Sequence, residues 1–186
     1  MLDAAVRVQG PATQVVEVAA GLARVELHGD LPLGWCGKLA AALSRRGVSI
    51  VRGKAERQGT GWDVVLEVQA EGDTPPGELD FAALAAEESP ESNGAPRLES
   101  FVLTLPRRGA AVELTVRGPD RCGFLAALLE RLGQLGLFPE RISVETVHTM
   151  AADTLWLNAA GGEPPTERSI DALREFLRGV TGAGRS

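Results

Sequence analysis

RGPDRCGFLAALLERLGQLG, residues 117–136, is the stretch from which the fold can be read. Just ahead of it, Val112, Leu114 and Val116 alternate with Glu113, Thr115 and Arg117, the period of a half-buried strand. Gly118, Pro119, Asp120 and Arg121 interrupt the alternation with turn residues. After Gly123 the apolar residues return at helical spacing, as Leu125, Leu128, Leu132 and Leu135, and Gly136 stops the helix. The stretch is therefore a strand, a tight polar turn and a helix whose free N–H groups face back over the turn. Such a helix start favours a carboxylate or phosphate, and a glycine there lets a ligand approach the backbone.

The same design occurs once before. Leu31-Pro32-Leu33-Gly34-Trp35 lies between a strand over 23–28 and a helix that stops at Gly47. Gly34 and Gly123, Gly47 and Gly136, and Pro75-Pro76 and Pro164-Pro165 are each 89 positions apart. Phe81 and Leu84 match Ile170 and Leu173 at that offset, whereas Asp63 and Asp153 match at 90, which places one extra residue in the second hairpin. The chain reads as a duplication of a module of roughly ninety residues. The expected division is a first module over 1–88, a linker over 89–99 and a second module over 100–186. Residues 88–99, ESPESNGAPRLE, are polar and without periodicity, as a linker is.

Each module predicts the order β-β-α-β-β-α. In the first, strands are expected over 14–18, 22–28, 48–57 and 62–69, with helices over 35–46 and 77–87. In the second, strands are expected over 101–105, 111–117, 141–149 and 153–158, with helices over 124–135 and 166–178. The ends, 1–11 and 181–186, carry no such pattern.

Composition narrows the function. A net charge of −6 argues against general nucleic-acid binding, which needs basic stripes to displace counterions. No apolar run approaches the roughly 20 residues of a membrane span, and the N-terminus lacks a signal-peptide pattern. Two cysteines without metal-type spacing fit a reducing, cytoplasmic setting, although a Cys36–Cys122 disulfide stays open. Two histidines, neither near a paired carboxylate in sequence, make no recognisable triad, and neither a Walker loop nor a dinucleotide fingerprint is present. No cofactor, metal or catalytic residue is expected. An enzyme working in a pocket between the modules is the least favoured reading.

The run from Leu114 through the turn and helix to RISVETV (141–147) and DTLWL (153–157) resembles an ACT domain. The likeness is greatest to the tandem ACT modules that end bacterial uridylyltransferases and to stand-alone regulators of the glycine-cleavage-repressor type. It covers about residues 14–180, more specifically in the second copy than in the first. It implies an α+β protein of two ferredoxin-like modules, each an antiparallel four-stranded sheet with two helices on one face. It also implies a small ligand, commonly an amino acid, and pairing of modules through strands or helices. The chain departs from the family at two points: Leu33 and Cys122 stand where a proline usually precedes the loop glycine, and no strand follows the last helix. The extra strand ahead of each module can fill that place as a hairpin, which makes each copy a permuted ββαββα. The rival is an exchange in which each extra strand closes the other module.

The candidate ligand residues are Asp30, Leu33 and Gly34 at the first helix tip and Asp120, Arg121, Cys122 and Gly123 at the second. Asp120 and Arg121 would hold the amine and carboxylate of an amino acid, or be solvated turn charges. Cys122, beside a helix start, would be a reactive thiol or a small turn residue. His28 and His148 read as surface histidines, Trp35 and Phe124 as core plugs, and Trp62 and Trp156 as packing anchors. Val65 and Trp156 lie opposite the core face of their strands, so a partner module or a second chain is expected to cover that face. The leading expectation is a non-catalytic, amino-acid-binding regulatory protein that forms a homodimer and acts on a regulated protein. The alternative is a ligand-free interaction module.

Overall fold

The structure, a computed structural model, describes residues 10–88, 95–105 and 111–181. Most of the expected leader and tail, the first six residues of the expected linker (89–94) and the turn over 106–109 lie outside the described residues. In chain order the elements are β1 (Ala12–Ala19), β2 (Leu22–Gly29), α1 (Trp35–Arg45), β3 (Val48–Gln58), β4 (Gly61–Ala70) and α2 (Phe81–Ala86). The second half follows with β5 (Ser100–Thr104), β6 (Val112–Pro119), α3 (Phe124–Gln134), β7 (Leu137–Val147), β8 (Met150–Ala159) and α4 (Glu167–Thr181). This is an α+β fold of two ferredoxin-like modules.

The eight strands form one antiparallel sheet in the order β1-β2-β4-β3-β7-β8-β6-β5. Each extra strand closes its own module: β1 pairs with β2 and β5 with β6, so the exchange is excluded. The modules meet edge to edge where β3 runs antiparallel to β7, with Arg52 opposite Glu145, Lys54 opposite Ser143 and Glu56 opposite Arg141. A pseudo-twofold axis passes through the Lys54–Ser143 pair, since the duplication offset exchanges the two outer pairs. Arg52 and Glu145 add a 3.2 Å ion pair across the seam.

One core runs through both halves. Val25, Leu27, Val64 and Val68 in the first sheet half and Leu114, Val116, Leu155 and Leu157 in the second are all buried on the helix side. Leu39 and Leu43 of α1 and Leu128 and Leu132 of α3 cover them, each excluded from water. Each such leucine contributes roughly 1.5–3 kcal/mol by burial. The helices α1 and α3 touch across the seam, where Gly37 lets the backbone come within 3.4 Å of Leu129 Cβ, measured from the position a Cβ would take.

The structure corrects four expectations. The hairpins turn at 59–60 and 148–149, with Gln58 opposite Gly61 and Val147 opposite Met150, so the 89-residue offset runs through both without an insertion. Asp153 therefore corresponds to Val64, and Asp63 to Ala152. The expected helix over 77–87 is instead a 3-10 turn at Pro76–Glu78 and a short α2, because Leu79 is extended, Asp80 is non-helical and the Asp80 carboxylate caps the Ala83 N–H at 3.0 Å. Strand β7 begins at Leu137 rather than Arg141. Pro139 is tolerated there because it sits at a bulge, outside the residues that pair with β3.

The fourth correction concerns the partner module as a cover for the sheet's other face. The second module extends the first sheet sideways, and among the described residues it does not cover that face. Arg24, Glu26, His28, Asp63 and Lys54 place polar groups there, with His28 Nδ1 2.9 Å from Asp63 Oδ1, and Val16, Val18 and Val102 are exposed towards its edges. Trp156 is shielded locally: the Arg141 guanidinium lies 3.9 Å over its ring, and its Nε1 donates to Glu113 at 3.1 Å.

Candidate functional site

Two turns of the same shape start α1 and α3. Gly34 (φ 76°) and Gly123 (φ 90°) occupy the left-handed region that side chains other than glycine's resist, and each is the residue just before its helix. Trp35 N–H donates to Pro32 O at 3.0 Å, and Phe124 N–H to Arg121 O at 2.9 Å. Both tips point towards the opposite module, because the edge-to-edge seam brings α1 and α3 side by side.

Their surroundings differ. At the second tip, the Cys122 thiol donates to Ser44 Oγ at 3.3 Å and lies 3.5 Å from Ser44 O. A Cβ on Gly123 would stand only 3.2 Å from that same Ser44 Oγ. The hydroxyl, from the end of α1, fills the ground in front of the tip. The residue 89 positions on from Ser44 is Gly133, which has no side chain to fill the equivalent space beside Gly34. The first tip opens onto a cavity of about 280 Å³.

This cavity lies between the Gly34 turn, the β3–β4 hairpin and the neighbouring ends of β7 and β8. Leu31, Trp35, Trp62, Phe138 and Pro139 give it an apolar wall. Trp35 and Trp62 meet edge to face, with centroids 5.2 Å apart. Besides the Thr60 hydroxyl, its charged and unpaired side-chain groups divide by module. The first contributes donors: the Arg57 guanidinium, held by Gly59 O at 3.2 Å and without an ion pair among the described residues, and the Trp35 indole. The second contributes acceptors, the Glu140 carboxylate and the Asn158 amide, which are joined by a 2.5 Å bond from Asn158 Nδ2 to Glu140 Oε2.

Trp35 Nε1 and Asn158 Oδ1, one a donor and one an acceptor, are buried with no hydrogen-bond partner among the described residues. Trp35 is 3% exposed and Asn158 7%. Leaving such atoms unpaired costs about 1–3 kcal/mol each, a cost that a suitably polar occupant can remove. Cys36 also lines the cavity; burial pushes its thiol up to about 12, outweighing the N–H groups of Gly37 and Cys36 that favour the thiolate. It is an inert wall residue.

Of the residues singled out in sequence, Gly34 and the exposed Leu33 line the open cavity. Asp30 is exposed and does not line it. Asp120, Arg121, Cys122 and Gly123 are together at the second tip, where Asp120 accepts from Thr146 Oγ1 at 2.7 Å and Arg121 points to solvent. Both cysteines are free, with Cys122 bound to Ser44, so the disulfide does not form. Sequence reasoning missed Arg57, which the β3–β4 hairpin of the same module brings beside the first tip, and Glu140 and Asn158, which reach it through the β3–β7 seam. The signal available was the pair of polar residues Glu140 and Asn158 within apolar strands. Among the described residues no group of three or more His, Cys, Asp or Glu is placed to hold a metal ion, and no helix is long and apolar enough to cross a membrane.

No family model matches the sequence, and no curated protein matches it. Among solved structures the chain is similar to the crystal structure of aspartate kinase from Synechocystis, at 17% identity and a TM-score of 0.48. The match takes in 87% of this chain and 28% of that one, so the chain spans little more than a quarter of that protein's length. At that level the likeness concerns the fold and carries nothing about ligand or activity.

Proposed function

We propose that this is a non-catalytic regulatory protein of tandem ACT type that binds one small zwitterion, an α-amino acid, at the Gly34 cavity. One observation carries the reading: the cavity's cation and its unpaired donor belong to the first module, and its anion and its unpaired acceptor to the second. An occupant that satisfies both must bear an anionic end towards Arg57 and the start of α1, and a cationic end towards Glu140 and Asn158. Such a molecule bridges the modules, so its affinity depends on how they are held, and whatever partner reads that arrangement responds to it. The occluded second tip makes the stoichiometry one per chain. Two free thiols accord with action in the cytoplasm.

Calorimetric titration of the whole chain with each of the twenty amino acids tests the proposal. Heat of binding for one or a few, at one equivalent, is expected. Arg57→Gln and Glu140→Gln should each weaken it by tenfold or more, about 1.4 kcal/mol. Absence of heat with every amino acid sinks the proposal.

A further inference from the structure

A second cavity, of about 190 Å³, adjoins the first. It lies between α1 and α3 and is bounded by Gly37, Ala41, Ala126, Leu129, Gly133 and Leu137. Gly34, Cys36, Phe138 and Pro139 line both cavities. Phe138 is the partition: its Cε1 lies 4.0 Å from where a Cβ on Gly34 would stand and 3.9 Å from the same point on Gly133. Its ring edge is thus wedged between the helix tip and α3, with glycine on both sides. Half-buried and carried on a bulged strand end, it can turn without moving any backbone that pairs with β3.

The two cavities are opposite in character. The first has a cation, an anion and two unpaired buried polar atoms. The second is walled mostly by small and aliphatic groups; of its three charged residues, Lys38 and Glu88 are engaged with each other at 2.8 Å and Glu130 is engaged elsewhere. A polar side chain lodged there would lose water against a largely apolar wall, whereas an apolar one gains by leaving water. The size is adequate, since a dry cavity of about 150 Å³ takes a benzene-sized group.

We infer that the occupant of the Gly34 site is an α-amino acid with an aliphatic or aromatic side chain, that this side chain enters the α1–α3 cavity, and that Phe138 sets its permitted size. This rests on the zwitterion reading above and adds the chemistry of the remaining part of the molecule. The backbone charges of the ligand span the modules, while its side chain sits between the two helices that touch across the seam. Occupancy is thereby coupled to the α1–α3 contact as well as to the sheet ends.

The test is a calorimetric comparison of glycine, alanine, serine, leucine, methionine and phenylalanine on the whole chain, with Trp35 and Trp62 fluorescence as a second readout. At least one of leucine, methionine and phenylalanine should bind roughly thirty-fold or more tighter than alanine, with serine no better than alanine. Gly133→Leu directs a side chain into the second cavity from a helical position where only Phe138 is near. It should reduce the ratio of the favoured apolar amino acid to alanine to within a few-fold while alanine still binds. Phe138→Ala, which does not depend on Gly133→Leu folding, should move the preference towards larger side chains such as tryptophan. Equal affinities for alanine and every apolar amino acid, or an order unchanged by Phe138→Ala, overturn the inference and leave the zwitterion reading standing. Binding of none of them, with a charged or polar amino acid bound instead, overturns the inference alone. Binding of no amino acid at all overturns both.

Discussion

Asp153 sits in the core position that Val64 fills in the first module, and it is 3% exposed. Val116 is its cross-strand neighbour, the Glu145 N–H donates to its carboxylate, and the Asp120 carboxylate is close enough to repel it. Burial raises its pKa from 3.8 to about 7, Asp120 adds to the rise and the Glu145 N–H opposes it. The sign follows from comparing folded and unfolded chains. Below about pH 4 both carry the proton and nothing is lost. Between about pH 4 and pH 7 the unfolded chain releases its proton while the native one keeps it, so native stability falls as pH rises. Above pH 7 both are ionised and the loss is complete. A shift of about three units at 1.36 kcal/mol each is about 4 kcal/mol in all, of which about 3 kcal/mol falls between pH 5 and pH 8. Asp153→Asn keeps an oxygen for the Glu145 N–H and cannot ionise. Urea unfolding followed by tryptophan fluorescence, at pH 5 and pH 8 with the slope checked for constancy, should show the variant gaining on the parent by that amount as pH rises. Glu87, whose pKa is lowered chiefly by the hydrogen bond from Arg45, acts in the opposite sense and at lower pH; it is common to both proteins and cancels in the difference. Parallel pH profiles for the two proteins would show that Asp153 is not the buried acid described, and the reasoning would fail.

Three further outcomes are expected. Gly53→Ala would put a methyl 2.6 Å from Leu66 Cδ2 and 3.2 Å from Val144 Cγ2 at the seam, so the urea midpoint should fall by the equivalent of about 1–3 kcal/mol. Aromatic disulfide reagent should titrate one thiol rapidly in the native protein, the exposed Cys122, and two in guanidinium, because Cys36 is buried and its thiol holds its proton; Cys122→Ser should remove the rapid phase. Ser44→Gly should clear the second tip and raise the ligand stoichiometry above one. A value fixed at one would mean that more than this hydroxyl closes it.

What could be read from the residues follows the range of the interactions involved. The β-β-α-β-β-α order was legible because it depends on local periodicity and on Gly34, Gly47, Gly123 and Gly136, whose backbone requirements are felt within a few positions. The local closure by β1 and β5 was legible in part, as the shorter of two connections. The break at Leu79-Asp80 was not, since it turns on whether Asp80 caps a new helix or sits inside an old one. Least legible was how the modules join. Val65 and Trp156 offered the partner module as a cover for the second face, whereas the modules join edge to edge; single apolar residues on a strand also do not reveal that an arginine, Arg141, lies over one of them. The site inherits this limit. Gly34 and Leu33 announce a helix tip, but Arg57 joins it through the β3–β4 hairpin, and Glu140 and Asn158 only once β3 is paired with β7.

Duplication also explains why two copies of one turn have different prospects. At the pseudo-twofold axis each tip faces the helix end of the other module, so the residue that decides whether a tip is open lies 89 positions from its counterpart rather than in the turn itself. The turn is more highly charged at the second tip, with Asp120 and Arg121 in place, yet a hydroxyl from Ser44 occupies its approach. The first tip has lost those charges, and Gly133 leaves it room, with charge supplied instead from the strand ends by Arg57 and Glu140. Once a fused pair need not bind twice, one tip is free to become a contact that holds α1 against the second module, and the other can specialise. Competence of a copy in such a protein is therefore to be judged from the opposite copy's helix end.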